Sequence, residues 1–446
     1  MAFSLILLAM ILLSLFLYRA YRISSIPVIG DPFDVAEFET IAIPDSENAA
    51  VIYVSADSMR AAGKIPSEDL DRVFENGWGV STEALQKLLT ANERALDEWR
   101  RGTERPSAQF VLAKNVSINP DLAVVINMRE FSRLARLRSE RCLHEGDVSE
   151  AWSWLRAGFR ASRHLGKNGP MIERTNGFLN FKIVAGGINR WAADPRVDEL
   201  LLRQAAEQFN ADDALTPSPS VAMKYEYVAL LHAINSEKSL SDLGLLPSGD
   251  RDPAAFQYSY LFVMGDREYS RRLMPHVFAN WLDQVDFPRT KRAPIVSNRR
   301  GLYSRTPKFG QLSTQELESR LSSICLARIL TAAIPLTVEI SDREAAQRAA
   351  LKLTLATQRF HRLHGDWPKK LDDLVPDLLQ ELPLDPFGKA GESLILKRDG
   401  DEALIYSVGE NAIDDGGDFK EFMDTALPAL DEGFRLKRPR SPSAEK

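Results

Sequence analysis

The 446-residue chain has only two cysteines, Cys142 and Cys325, and six histidines. Neither cysteine has a second Cys or a His at metal-ligand spacing, so no thiolate zinc site is encoded, and both read as small core hydrophobes. No Gly-rich phosphate loop, His-Glu-x-x-His or Gly-x-Ser-x-Gly pattern occurs, so local motifs give an enzyme no support. With 62 acidic residues, a hydrolytic carboxylate pair could still assemble from distant positions. An excess of basic charge is also lacking: 56 Lys and Arg against 62 Asp and Glu leave a net charge of -6. Neutralising phosphates requires a basic surface, so no nucleic acid is expected as partner.

Charge is missing from the start of the chain as well. Phe3 to Tyr18 is apolar except for Ser4 and Ser14, and no Lys or Arg precedes it. With its flanks the run reaches roughly 18 to 20 residues, about enough to cross a bilayer. A secretory leader would show a basic start and a small-x-small cleavage site, and both are lacking. Residues 1–22 therefore read as a retained single-pass anchor whose partner is membrane lipid. The run has no polar face, which argues against a buried amphipathic helix.

Residues 23–44 read as a Pro/Gly/Asp linker, and residues 45–340 as an irregular helical domain with little strand alternation. Asp45 to Met59 reads as a cap and an amphipathic helix burying Ala49, Ile52, Tyr53 and Ala56. Ser81-Thr82-Glu83 starts a second helix that runs through Asn92 to Trp99. Phe131 to His144, Gly146-Asp147 and Ser149 to His164 read as helix, tight turn and helix, a hairpin unit of the tetratricopeptide kind without its fixed period. Pro217-Ser218-Pro219 and Leu245 to Pro253 read as loops. Pro288 to Gln315 has no acidic residue and seven basic ones, which reads as a solvated loop, with contact to anionic headgroups or an acidic partner as the alternative. Ile324 to Ile340 is apolar but interrupted by Arg328, Pro335 and Glu339, and reads as a buried helix.

Spacing and turn chemistry agree best between Asp342 and Asp418. Ala346, Ala349, Leu353, Ala356, Phe360 and Leu363 recur at steps of three and four, predicting a helix with one core stripe that ends at Gly365. Trp367-Pro368 then forces extended backbone, and Leu371 to Leu379 reads as a shorter amphipathic piece. Leu382 to Gly388 is a proline-locked turn. Two strands follow, Ser393 to Lys397 and Ala403 to Val408, with the hairpin signal Asp399-Gly400 between them. Residues 341–419 thus form a small α+β unit with an antiparallel sheet, and residues 420–446 a tail whose basic, Pro/Ser-rich end is expected to be disordered.

Four pieces stand here in one order: Gly365-Asp366-Trp367-Pro368, Leu382 to Gly388, Tyr406-Ser407-Val408-Gly409 and Asp414 to Asp418. This order resembles the globular half of the major pseudopilins of type II secretion systems, in which a long helix is followed by the same motifs and a small antiparallel sheet. It covers about a sixth of the chain. The start at Asn48-Ala49-Ala50 to Tyr53, the helix from Asn92 to Leu96 and the hairpin from Leu134 to Gly169, taken with this C-terminal region, also resemble a group of membrane-anchored bacterial proteins to which no activity attaches.

Glu410, Asn411, Asp414, Asp415 and Asp418 crowd hard oxygen donors onto a glycine-containing loop, as a calcium shell of six to eight oxygens requires. In the pseudopilins the equivalent loop holds calcium and braces the sheet, so the resemblance implies a structural ion here; Asn411 and Ala412 stand where that family usually has Asp and Gly. The alternative is an acidic loop closed by its own hydrogen bonds. His361 and His364 stand one helical turn apart and could converge on a metal, but helix-end histidines, His144 and His164 included, are also favoured there by the dipole alone.

Arg19 and Arg22 follow the apolar run and favour a cytoplasmic bulk, whereas the pseudopilin resemblance implies the opposite side; an extracytoplasmic bulk is the expectation carried forward. The expected function is that of a non-enzymatic, membrane-anchored scaffold with a protein partner at the envelope, beside a secretion or pilus-like machine. Two alternatives stand: a receptor for a small molecule or cell-wall fragment, with a pocket drawn from Trp152, Trp154, Trp191 and Trp281, and a hydrolase with dispersed carboxylates.

Overall fold

A computed structural model describes residues 2–61, 63, 67–236, 266–292, 316, 319–320, 334–418 and 431–438. The helices are α1 (Ala2–Ser24), α2 (Val35–Thr40), α3 (Ala49–Ser58), α4 (Ser67–Asn76), α5 (Glu83–Ala91), α6 (Glu93–Thr103), α7 (Ala123–Glu145), α8 (Val148–His164), α9 (Met171–Ala192), α10 (Glu199–Asp213), α11 (Pro219–Asn235), α12 (Asp266–Leu282) and α13 (Ile334–His364). The strands are β1 (Ile395–Asp399), β2 (Glu402–Ser407) and β3 (Glu432–Leu436). The chain is mainly helical with one small antiparallel sheet, as expected. Cys325, the loop from Leu245 to Pro253 and most of the basic segment from Pro288 to Gln315 lie outside the described residues.

Contacts divide the chain into two compact units. The smaller unit comprises residues 1–42, 111–121 and 219–338. Its α1 contains a 22-residue stretch, Phe3–Ser24, of mean hydropathy 2.2, long and apolar enough to cross a membrane. Residues 23–44, read as a linker, carry the short helix α2. Asp34 caps α2 by accepting from Glu37 N at 2.9 Å, and Phe33 and Phe38 meet Tyr227 and Tyr225 edge-on at centroid distances of 5.4 and 5.1 Å. Phe33, Val35 and Phe38, partly buried, pack this stretch against the cluster of Tyr225, Val228 and Ala229.

The larger unit comprises residues 43–110, 122–218 and 339–446. Asn48, rather than Asp45, caps α3: its Oδ1 accepts from Ala50 N at 3.0 Å and from Gln109 N at 2.9 Å. Ala49, Ile52, Tyr53 and Ala56 are buried as expected. The helix read from Thr82 to Trp99 is broken at Asn92. That side chain donates to Leu88 O at 2.9 Å and accepts from Ala61 N at 3.0 Å, which offers the backbone an alternative to a straight helix. The α7–α8 hairpin forms around Gly146, whose φ of 92° supplies the left-handed cap, and Asp147 accepts from Glu150 N at 2.9 Å. Helix α9 crosses α8 closely: a Cβ on Gly158 would lie 2.7 Å from Val184 Cγ2.

The C-terminal part of helix α13 shares this core, and along the chain the two units change over between Val338 and Glu339. Ala350, Leu351, Leu353 and Leu355 join one cluster with Trp99, Phe131, Trp154 and Phe181. The single stripe foreseen for this helix is therefore incomplete, because it is covered on several sides, with Thr354, Thr357 and Gln358 buried and Leu363 exposed. Leu371 to Leu379 holds only a 3-10 turn, Leu371–Leu374, yet buries Leu371, Leu374 and Leu379.

The sheet order is β1-β2-β3, all antiparallel, with Ile395 opposite Tyr406 and Asp399 opposite Glu402 around a two-residue turn in which Gly400 has φ 60°. Its third strand, Glu432–Leu436, falls in the segment read as tail, and Ser407 pairs with Glu432 and Ala403 with Leu436. The alternation of β3, with Glu432, Phe434 and Leu436 buried, explains why. Five residues of such alternation next to a basic, Pro-rich end give little signal on their own.

Candidate functional site

The four motifs of the C-terminal region meet around β2. Asp385 is buried; its carboxylate accepts from Ser407 Oγ at 2.6 Å, Phe387 N at 2.9 Å and Val408 N at 3.1 Å. Trp367 is buried as well and donates from Nε1 to Asp401 O at 3.0 Å. Asp366 accepts from Arg398 at 2.9 Å and Arg438 at 2.7 Å. Tyr406 donates its hydroxyl to Asp414 at 2.9 Å. Burial first, and the Asp414 carboxylate second, push that phenol well above its ordinary range.

The five residues expected to hold calcium are only partly brought together. Glu410 is drawn to Arg343 on α13, 3.1 Å away. Asn411 donates to Asp415 at 2.7 Å, and its amide oxygen accepts from Ile413 N at 3.0 Å. Asp414 accepts from Gly416 N at 2.9 Å in addition to Tyr406. Asp418 is placed through its backbone, its N–H donating to Asp431 at 3.2 Å. Asp431, which the sequence reading missed, also takes Gly417 N at 2.8 Å and so clamps the loop. Burial raises the Asp431 carboxyl. Ala412 adopts φ 55°, the left-handed conformation that glycine would take without strain. Among the described residues no group of three or more His, Cys, Asp or Glu side chains is placed to hold a metal ion. The loop is closed by its own hydrogen bonds. His361 and His364 do not converge either: His361 lies against Trp367 and His364 against Phe360, at centroid distances of 4.6 and 4.2 Å.

Above the sheet, α13 is fixed by charge. Glu344 is buried and paired with both Arg163 of α8 and Arg174 of α9, themselves buried. Desolvation first, and the like charge of Arg348 with it, lower both guanidinium pKa values. Nearby, Tyr53 OH and His164 Nδ1 are 2.7 Å apart in full burial. Burial pushes His164 down to about 3, so the imidazole is neutral and the dipole account of this helix-end histidine fails. Cys142 is a buried free thiol that burial pushes up to about 11, an inert core residue as read from the sequence.

A cleft of about 750 Å³ opens on the same unit, lined by Trp78, Glu140, His144, Arg190, Asp194 and Lys437 among others. Glu140 is buried and pairs with Arg190 at 3.0 Å. Desolvation raises its carboxyl against the pull of Arg190 and Arg136. Asp194 is pushed up by desolvation but held below the ordinary range by the Arg196 side chain and backbone N–H. Two acids in one cleft are thus displaced in opposite directions. The tryptophans considered for a pocket are elsewhere: Trp152, Trp154, Trp191 and Trp281 are buried, the first tilted against Trp191 at a centroid distance of 4.9 Å. Trp78 has no local motif to mark it, and only the adjacent glycine turn at Gly77, φ 87°, hints at a special backbone.

Comparison of the chain with models of known families, with curated proteins and with solved structures returned no match.

Proposed function

We propose that this protein is a membrane-anchored, non-enzymatic scaffold in which a pseudopilin-like module is built into a helical body, working with a protein partner beside a secretion or pilus-like machine. The observation that carries the reading is the bonding of the Leu382 to Gly388 turn to the Tyr406 to Gly409 motif through Asp385, at 2.6 Å to Ser407. The apolar α1 supports the anchor. The bulk is proposed to lie outside the cytoplasm, on the strength of the resemblance. Calcium would enter as a brace of the 410–418 loop only if Glu410 left Arg343 and Asn411 released Asp415.

Co-purification from detergent-solubilised membranes tests the scaffold reading. A stoichiometric envelope partner supports it, and a chain recovered alone under mild extraction opposes it. Protease added to spheroplasts tests sidedness, since full protection would place the bulk inside.

A hydrolase is the second reading, favoured by the cleft that holds Glu140 and Asp194 with oppositely displaced carboxyls. Hydrolysis of a glycan or peptide library, abolished by Glu140→Gln with the fold retained, would establish it.

A further inference from the structure

The anchor's inner end is not a free hinge. Counting about 20 residues for the hydrocarbon core from Phe3 puts its far edge near Arg22. Tyr18 and Tyr21 are both exposed on α1 at this level, where amphipathic rings settle at a membrane interface. Helix α12 docks there. The Arg22 guanidinium lies 4.1 Å from the Tyr269 ring centroid, Arg272 donates to Ile23 O at 3.3 Å, and His276 Nε2 is 2.8 Å from Pro27 O.

These three contacts advance in the same sense along both segments, from 269 to 276 on α12 and from 22 to 27 beyond the apolar run. The N-terminal end of α12 therefore points toward the bilayer, and its first two turns lie at headgroup height. Those turns carry Arg267, Arg271 and Arg272. Arg267 and Arg271 are exposed. Arg19 comes from α1, and Arg320 reaches the same level by donating to Ser25 Oγ at 2.8 Å. Glu268 is 3.1 Å from Arg272 and 3.8 Å from Arg271, and Arg267 donates from Nε to Ile234 O.

We infer that the arginines at the foot of α12, Arg267, Arg271 and Arg272 with Arg19 of α1, bind anionic lipid headgroups and hold the smaller unit against the bilayer surface. The inference rests on α1 as a span and goes beyond it, since a span alone requires no particular lipid. The occupant is lipid rather than an acidic protein because the same contacts that order the arginines also tie them to the end of the apolar run. Each arginine held near an anionic surface strengthens attachment roughly fivefold. The attraction decays within about a Debye length, near 8 Å at physiological salt.

The test uses the full chain in nanodiscs of phosphatidylcholine alone or with one third phosphatidylglycerol, reading amide hydrogen exchange over residues 266–276. The expected result is exchange roughly tenfold slower in the anionic discs, a difference abolished by R267E/R271E, halved by the milder R271Q and unchanged by R203E on the exposed face of α10. Equal exchange in the two lipids, or a difference indifferent to both α12 variants, overturns the inference. Slowing in neutral discs by dissolved glycerol phosphate would also overturn it, as simple anion binding. Retention in neutral discs at alkaline pH reports separately on the span: loss there removes the anchor reading itself, whereas retention without lipid-charge dependence removes only this inference.

Discussion

Ser407 Oγ donates a 2.6 Å hydrogen bond to the buried carboxylate of Asp385, joining two segments 22 residues apart. The same carboxylate takes two backbone N–H groups, of Phe387 and Val408. Removing it leaves two buried donors and the half-buried Val408 N–H without this acceptor, at about 1–3 kcal/mol for each buried one before relaxation. Asp385→Ala is therefore expected to destabilise the larger unit by about 3 kcal/mol or more, and Ser407→Ala by about 1 kcal/mol. Urea unfolding followed at Trp367 would compare them. Equal losses would mean that Asp385 is not the hub of this turn.

Glu344 makes a stronger demand, because Arg163 and Arg174 have no water to turn to. Glu344→Ala is expected to cost about 3–5 kcal/mol, the usual penalty for leaving a buried charge unpaired. Replacing all three residues together, with Arg163→Met, Arg174→Leu and Glu344→Leu, should recover most of it. Denaturation midpoints of the single and triple variants decide the point, and a triple variant as unstable as the single would show that the charges do more than fill space.

Legibility followed the range of the interaction. Gly146, Gly365 and Gly400 each take positive φ at the turns where the sequence placed them, because that requirement is local. The same is true of the Asp399-Gly400 hairpin and the Ala49 to Ala56 face. Strand β3 escaped because its partner β2 lies some 25 residues earlier and its own five residues are short. The Glu344 pairs were invisible for a related reason. Arg163 is 181 residues away, and a charge on a helix reads as solvated until tertiary packing buries it. Asn92 breaks a helix through a bond to Ala61 N, 31 residues away, which no window of one or two turns contains. Of the candidate site, the loop was found but its fastening by Arg343 and Asp431 was not, since both come from other elements.

The carboxyl of Glu173, buried at the start of α9, gives the fold a pH dependence. Desolvation raises it to about 8, opposed by a hydrogen bond from the Gly166 backbone. An acid whose folded pKa lies above its unfolded value binds its proton more tightly when folded, so its contribution is fully present below the unfolded value of 4.5 and is lost as pH rises toward 8. Stability should fall between pH 5 and pH 8, and Glu173→Gln should flatten that fall. His164 works in the opposite sense, with its cost appearing as pH drops from 6.5 toward 3, so the two are separable. Thermal melts of wild type and variant at pH 5, 6.5 and 8 make the check. A parallel slope in both would remove Glu173 as the cause.

Calcium provides the sharpest trial of the 410–418 loop. Its donors are already engaged: Asp414 by Tyr406 and Gly416, Asn411 by Asp415, and Glu410 by Arg343. A shell of six to eight oxygens would have to break several of these contacts, and the left-handed Ala412 resists remodelling where glycine would not. Millimolar calcium is therefore expected to leave the melting temperature of the full chain within about 1 °C. Arg343→Gln frees Glu410 and should make the loop more responsive. Ligand at 100 times its dissociation constant stabilises by about 2.7 kcal/mol, so a true site would appear as a rise of several degrees. Such a rise in the wild-type chain, abolished by Asp414→Asn and Asp418→Asn, would show that these oxygens turn from the backbone to the ion and would restore the structural calcium that the resemblance implies.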